Sequence, residues 1–144
     1  MADPESFNLE RFVAAQAGSY ADALAELKAG RKRSHWMWFV FPQLAGLGRS
    51  ETARFYGIRS AEEAHAYLAH PLLGARLREC CAALLHHQGV PAETVLGSID
   101  ALKLKSSMTL FEAVAGDPAP FAAVLDAFYD GARDALTLDL LRSG

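Results

Sequence analysis

The sequence predicts a mainly α-helical fold: one compact helical domain of residues 1–144, with at most a minor sheet. Three observations predict it. Apolar residues recur at spacings of three and four along most of the chain. Alternation of period two is scarce. Ser, Asn, Pro and Gly punctuate the apolar stripes at short intervals, and no stretch is long enough to act as a linker between domains.

The elements follow in order. Leu9, Phe12 and Val13 form the first stripe, behind Asn8 as a candidate N-cap. Tyr20, Leu24 and Leu27 form the second, and Gly30 is its expected stop, because a residue without Cβ enters the left-handed region freely. Trp36 to Phe41 is the one strand-like segment, rich in aromatics and closed by Pro42. Ser60-Ala61-Glu62-Glu63 has the form of a capping box, with Ser60 as N-cap and Glu63 at the third helical position. Its helix should end near His70-Pro71, since the residue before proline avoids the helical region. Leu73, Leu77, Cys80, Cys81 and Leu84 mark a longer helix that ends before Gly89. From Ile99 to Ala115, Leu104, Met108, Phe111 and Ala115 share one stripe, extended by Leu110 and Val114. Phe121, Val124, Leu125 and Phe128 mark the next helix, stopped at Gly131. Leu136 and Leu140 mark the last.

Composition narrows the function classes. Apolar residues make up 51% and charged residues 22%, as in an ordinary globular protein that buries a core. Fourteen Lys and Arg against seventeen Asp and Glu give a net charge of −3, which argues against nucleic acid as a partner. The longest apolar run, Trp36 to Pro42, is far too short to span a bilayer. The opening MADPESFNLERF is mixed and acidic, unlike a signal peptide. Cys80 and Cys81 are adjacent and without further cysteines, so neither a disulfide framework nor a cysteine zinc site is expected, and a reducing cytoplasm is the simplest setting. His65, His70, His86 and His87 lack metal-ligand spacing with carboxylates. Gly46-Leu47-Gly48 is too short for a phosphate loop. No resident cofactor or metal is expected. Asp126, Asp130 and Asp134 would share a face only if the helix ran through Gly131, so they are expected at the surface, with a pair of them serving acid/base chemistry as the alternative.

Two segments carry candidate chemistry. Arg31, Lys32 and Arg33 precede His35, and Trp36 and Trp38 follow it. Cations can hold phosphate oxygens, and an indole can stack on a base. The same residues also fit a solvated loop followed by buried core. On the Ile99–Ala115 helix, Asp100, Lys103 and Ser107 fall inside the apolar arc, whereas Lys105 and Glu112 fall on the opposite, solvated face. Buried polar groups must be satisfied. Either Asp100 caps the helix and pairs with Lys103, or the three border a wet pocket.

The blocks SHWMWFVFPQLAGLG at 34–48, YLAHPLLGARL at 67–77 and DALKLKSSMTLF at 100–111 resemble a bacterial family, domain of unknown function 1810. FNLERFVAAQ at 7–16 and DGARDALTLDLL at 130–141 resemble its two ends. The resemblance implies a fold of the YbiA-like type, a distant relation to NADAR proteins, and ADP-ribose or related ribosyl compounds as ligands. NADAR-type proteins are N-glycosidases that use a carboxylate and a tryptophan in a pocket. Ser34-His35-Trp36 is similar to a NADAR Ser-Glu-His block but lacks its glutamate. Asp100 and Lys103 stand where a NADAR tryptophan is followed three residues later by lysine. A late NADAR aspartate corresponds to Asp130 or Asp134.

Together these observations lead to an expected pocket for a nucleotide-like small molecule. Arg31, Lys32, Arg33 and Lys103 would meet its phosphates, Trp36 or Trp38 would stack, and Ser107 would add a polar contact. Were the protein an N-glycosidase-like hydrolase, Asp100 would be the carboxylate and His35 the proton-transfer group. The alternatives are a sensor that binds without turnover and an interaction module with exposed tryptophans.

Overall fold

A computed structural model describes residues 7–143; the acidic start at residues 1–6, part of the segment read against a signal peptide, lies outside them. Among the described residues there are ten helices and no strand, with one isolated parallel bridge between Leu44 and Ile58. The helices are α1 (Glu10–Ala17), α2 (Tyr20–Ala29), α3 (Met37–Val40), α4 (Glu51–Phe55), α5 (Ala61–Ala69), α6 (Leu73–Leu85), α7 (Ala92–Leu96), α8 (Ser98–Val114), α9 (Ala119–Tyr129) and α10 (Ala135–Ser143). None is long and apolar enough to cross a membrane.

Local chemistry accounts for some of the boundaries. Gly30 takes φ 77° at the end of α2. Ser60 accepts from the Glu63 N–H and starts α5. The other half of the expected capping box does not form. Glu63 is instead buried, taking the Arg59 N–H on Oε1 and the Arg11 guanidinium on Oε2 at 2.6 Å. Asn8 does not cap α1 either; it sits at φ 53°, and Leu9 occupies the cap position. The α5–α6 corner needs Gly74, whose Cβ, were there one, would stand 2.1 Å from the Leu68 carbonyl oxygen.

The strand expected at Trp36–Phe41 is a helical turn. Val40 N–H donates to the Trp36 carbonyl and Phe41 N–H to that of Met37. Among the described residues no neighbouring strand pairs with it, and local bonds satisfy the backbone. Buried Gln16 holds the turn by donating from Nε2 to the Phe39 carbonyl at 2.7 Å, beside the Tyr67 hydroxyl.

Helix α8 is the axis of the molecule, packed by α5, α7, α9 and α10. Its middle, Ser106 to Phe111, is buried at every residue. A helix surrounded on all sides buries hydroxyls as well as aliphatics. Ser106 and Thr109 satisfy theirs on backbone carbonyls one turn back and on Asp134, just before α10. Helix α6 packs against α2, α5 and α9, with Leu73, Leu77, Cys80, Cys81 and Leu84 all buried in one contiguous core. Both cysteines are free, and burial pushes the Cys80 thiol up to about 12 and Cys81 higher still. The last stripe is read differently from expectation: Thr137 is the buried residue of α10, while Leu136 stays open to solvent.

Candidate functional site

Loop 31–36 is anchored from within. Glu26, on α2, accepts from the Arg33 and Ser34 N–H groups, the Ser34 hydroxyl and Trp36 Nε1 at 2.6–2.9 Å. Burial raises its carboxyl, but these donors, led by the Ser34 hydroxyl, outweigh that and hold it at about 2. Trp36 is 1% exposed. Its indole is enclosed by the core and cannot stack on a ligand, which corrects the expectation for that residue.

Lys32 is drawn inward as well. Its N–H donates to the Val95 carbonyl at 2.7 Å, and its ammonium lies 2.9 Å from Asp100 Oδ2 and 5.3 Å from the Trp36 ring centroid. The side chain is 9% exposed, so Lys32 is an internal counter-ion rather than a phosphate ligand. Lys103, one turn along α8, lies 3.5 Å from Asp100 Oδ1. Asp100 is thus shared by two lysines, and the cluster retains one positive charge. A carboxylate held by two ammonium groups is a poor candidate for stabilising a ligand cation. Ser107 is fully buried, its hydroxyl has no partner among the described residues, and it does not line the cleft. His35, Arg31 and Arg33 are exposed and do not join Asp100. The two catalytic candidates, Asp100 and His35, are therefore not brought together.

The positive end of the cluster does reach solvent. Lys103 sits 4.6 Å from the centroid of the half-buried Trp38 ring, and both line an open cleft of about 610 Å³. The cleft runs between α8, the 43–50 loop, α4 and the start of α10. Gln43, Arg49, Ser50, Lys105, Ser106 and Asp134 supply its other polar walls, and Leu47, Ala53, Ile99, Leu102 and Leu136 its apolar ones. Lys105 therefore faces the cleft, not the open solvated side expected of it. Glu112, expected there too, is half-buried and paired with Arg133.

Asp134 is the most constrained of these groups. Its Oδ2 accepts from Ser106 Oγ at 3.0 Å, from the Thr137 N–H at 3.2 Å and from the Thr137 hydroxyl. Its own N–H donates to Thr109 Oγ1 at 2.9 Å. The end of α9 before Gly131 separates it from Asp126, as expected, but Asp134 is half-buried rather than a surface carboxylate.

A second hollow, about 310 Å³, lies between α1 and α5 around Arg11, Phe55, Arg59 and Glu63. Its inner charges are spent on each other: Arg11 binds Glu63 and four backbone carbonyls, of Phe7, Asn8, Phe55 and Gly57. Among the described residues no group of three or more His, Cys, Asp or Glu is placed to hold a metal ion.

The family model described as "Protein of unknown function (DUF1810)" matches residues 6–141. The chain belongs to this DUF1810 family. It is also similar to a solved structure, the crystal structure of the conserved hypothetical protein Rv1873 from Mycobacterium tuberculosis. The two are 52% identical with a TM-score of 0.93, over 95% of this chain and 98% of that one. No curated protein matches.

In this DUF1810 chain, sequence patterns pointed to Trp38 and Lys103 but missed Gln43, Arg49, Lys105, Ser106 and the role of Asp134. One signal was available. Asp134-Ala-Leu-Thr137 is a cap residue followed by a donor at the third helical position, which marks a fixed carboxylate. Nothing local could announce that Ser106, on α8, supplies its further donor.

Proposed function

We propose that the cleft binds a nucleotide- or ADP-ribose-like ligand. The observation that carries this is the meeting of Trp38 with Lys103, Lys105 and Arg49 in one opening of about 610 Å³, a usual size for a small-molecule site. Three cations against one carboxylate favour an anion there. Lys103 beside the indole places a cation and an aromatic ring at one wall of the cleft, a pairing that suits a phosphate next to a base. The resemblance to NADAR-type proteins supports a ribosyl ligand. Turnover at a ribosyl carbon would need a carboxylate near a cation-like transition state, and Asp134 is the carboxylate lining the cleft. The lining holds no second carboxylate and no histidine among the described residues, which favours binding without turnover over hydrolysis.

The test is a thermal-shift and calorimetric screen with AMP, ADP-ribose and NAD. A ligand at 100 times its Kd adds about 2.7 kcal/mol of stability. Trp38→Ala and Lys103→Ala should lose that gain while Trp36→Phe, a substitution in the core, keeps it. No stabilisation by any of the three at millimolar concentration overturns the proposal. Chromatography after long incubation then separates sensor from enzyme by the presence of released base.

A further inference from the structure

A carboxylate is out of place in a cleft that attracts anions unless it has work of its own. Asp134 opposes any phosphate that Lys103, Lys105 and Arg49 attract, so its charge weakens binding unless the ligand also brings donors. Capping α10 does not require the charge, since a neutral Asn or Ser accepts the same N–H bond. Instead the carboxylate is clamped: Ser106 Oγ, the Thr137 N–H and the Thr137 hydroxyl all converge on Oδ2. Ser106 and Thr137 are buried, so this orientation is held by the core and not by solvent. Oδ1 accepts no hydrogen bond from any described residue. It has two lone-pair directions, and a clamped oxygen of this kind matches a pair of neighbouring hydroxyl donors. A phosphate at neutral pH offers no such pair; a ribose does, and acidic residues are the usual acceptors of ribose hydroxyls in dinucleotide sites.

Resting on the nucleotide reading above, we infer that Asp134 Oδ1 takes the vicinal hydroxyls of a ribose, so that the cleft selects ribonucleotides over 2′-deoxyribonucleotides. The donor partner is then neutral, while the cations hold the phosphate at a separate point.

Calorimetry with AMP, 2′-deoxy-AMP and IMP tests this on the wild-type chain and on Asp134→Asn, which keeps a capping side chain. The wild type should bind AMP about tenfold or more tighter than 2′-deoxy-AMP, the value of one hydrogen bond to a charged acceptor. IMP should match AMP, because the exocyclic amine plays no part. In Asp134→Asn the gap between ribo and deoxy forms should shrink to about twofold, with 2′-deoxy-AMP bound no more weakly than before. Equal binding of AMP and 2′-deoxy-AMP by the wild type overturns the inference and leaves the nucleotide reading intact. Weak binding of IMP with no deoxy penalty assigns Oδ1 to the base amine and likewise overturns it. Failure of all three mononucleotides to bind overturns the inference, and the nucleotide reading falls with it only if ADP-ribose and NAD fail as well. The wild-type comparison needs no variant, so a misfolded Asp134→Asn does not protect the inference.

Discussion

Replacing Glu26 measures how much one carboxylate does for the wall behind the cleft. Its Oε1 receives the Arg33 N–H, the Ser34 N–H and Trp36 Nε1, and Oε2 receives the Ser34 hydroxyl. Glu26→Gln can keep the three bonds to Oε1, and the Ser34 hydroxyl can turn to accept from the new amide. Only the charge is then lost. The carboxyl is held at about 2 against an ordinary 4.5, but solvent reaches it, and screening brings the charge contribution to about 1–2 kcal/mol. Glu26→Ala also strands the indole N–H of a side chain that is 1% exposed. An unsatisfied buried donor costs about 1–3 kcal/mol, so the alanine variant should lose about 3 kcal/mol in all. For a chain of this size that is a fall in Tm of about 10 °C.

The pH dependence follows from the sign of the shift. A folded pKa below the unfolded one gives stability that is complete above about 4.5 and disappears as pH falls towards 2. The gap between wild type and Glu26→Gln, measured by urea denaturation followed by circular dichroism, should therefore be full at pH 7 and close as pH falls. An alanine variant within 0.5 kcal/mol of the wild type would refute the anchoring role. So would a Gln gap that does not change between pH 7 and pH 3.

Two further outcomes are expected. Arg11→Ala leaves the buried Glu63 side chain without its guanidinium partner, which should cost about 3–5 kcal/mol in urea denaturation; a loss under 1 kcal/mol would show that water reaches Glu63 instead. Cys80 and Cys81 are both buried with their thiols pushed well above neutrality, so iodoacetamide at pH 8 should leave the native chain unmodified by mass spectrometry and add twice in denaturant. Rapid labelling of the folded protein would place a thiol at the surface.

Helices α2, α5, α6, α8 and α9 are legible along the chain because their signals are local. Ser60 and Gly30 act on backbone groups within a turn of themselves, and the stripe Leu73–Leu84 needs only a partner surface, whichever that is. Trp36–Phe41 shows the limit of such signals. Apolar aromatics fit a strand or a buried turn equally, and the choice fell to whether a neighbouring strand was there to pair with. The polar groups on α8 show it again. Periodicity correctly places Asp100, Lys103 and Ser107 among buried neighbours, but says nothing about which charge meets which.

Folding brings Lys32 to Asp100 and so turns that carboxylate into an internal counter-ion, leaving Lys103 as the cation that reaches the cleft. The same holds for Asp134, which becomes a fixed group only because α10 returns to lie against Ser106 and Thr109. Hydrophobic spacing is a property of neighbours along the chain, and one chain suffices to show it. Charge pairing and cleft formation depend on residues from 38 to 136 meeting across the core, and only three-dimensional packing decides which of them share an opening.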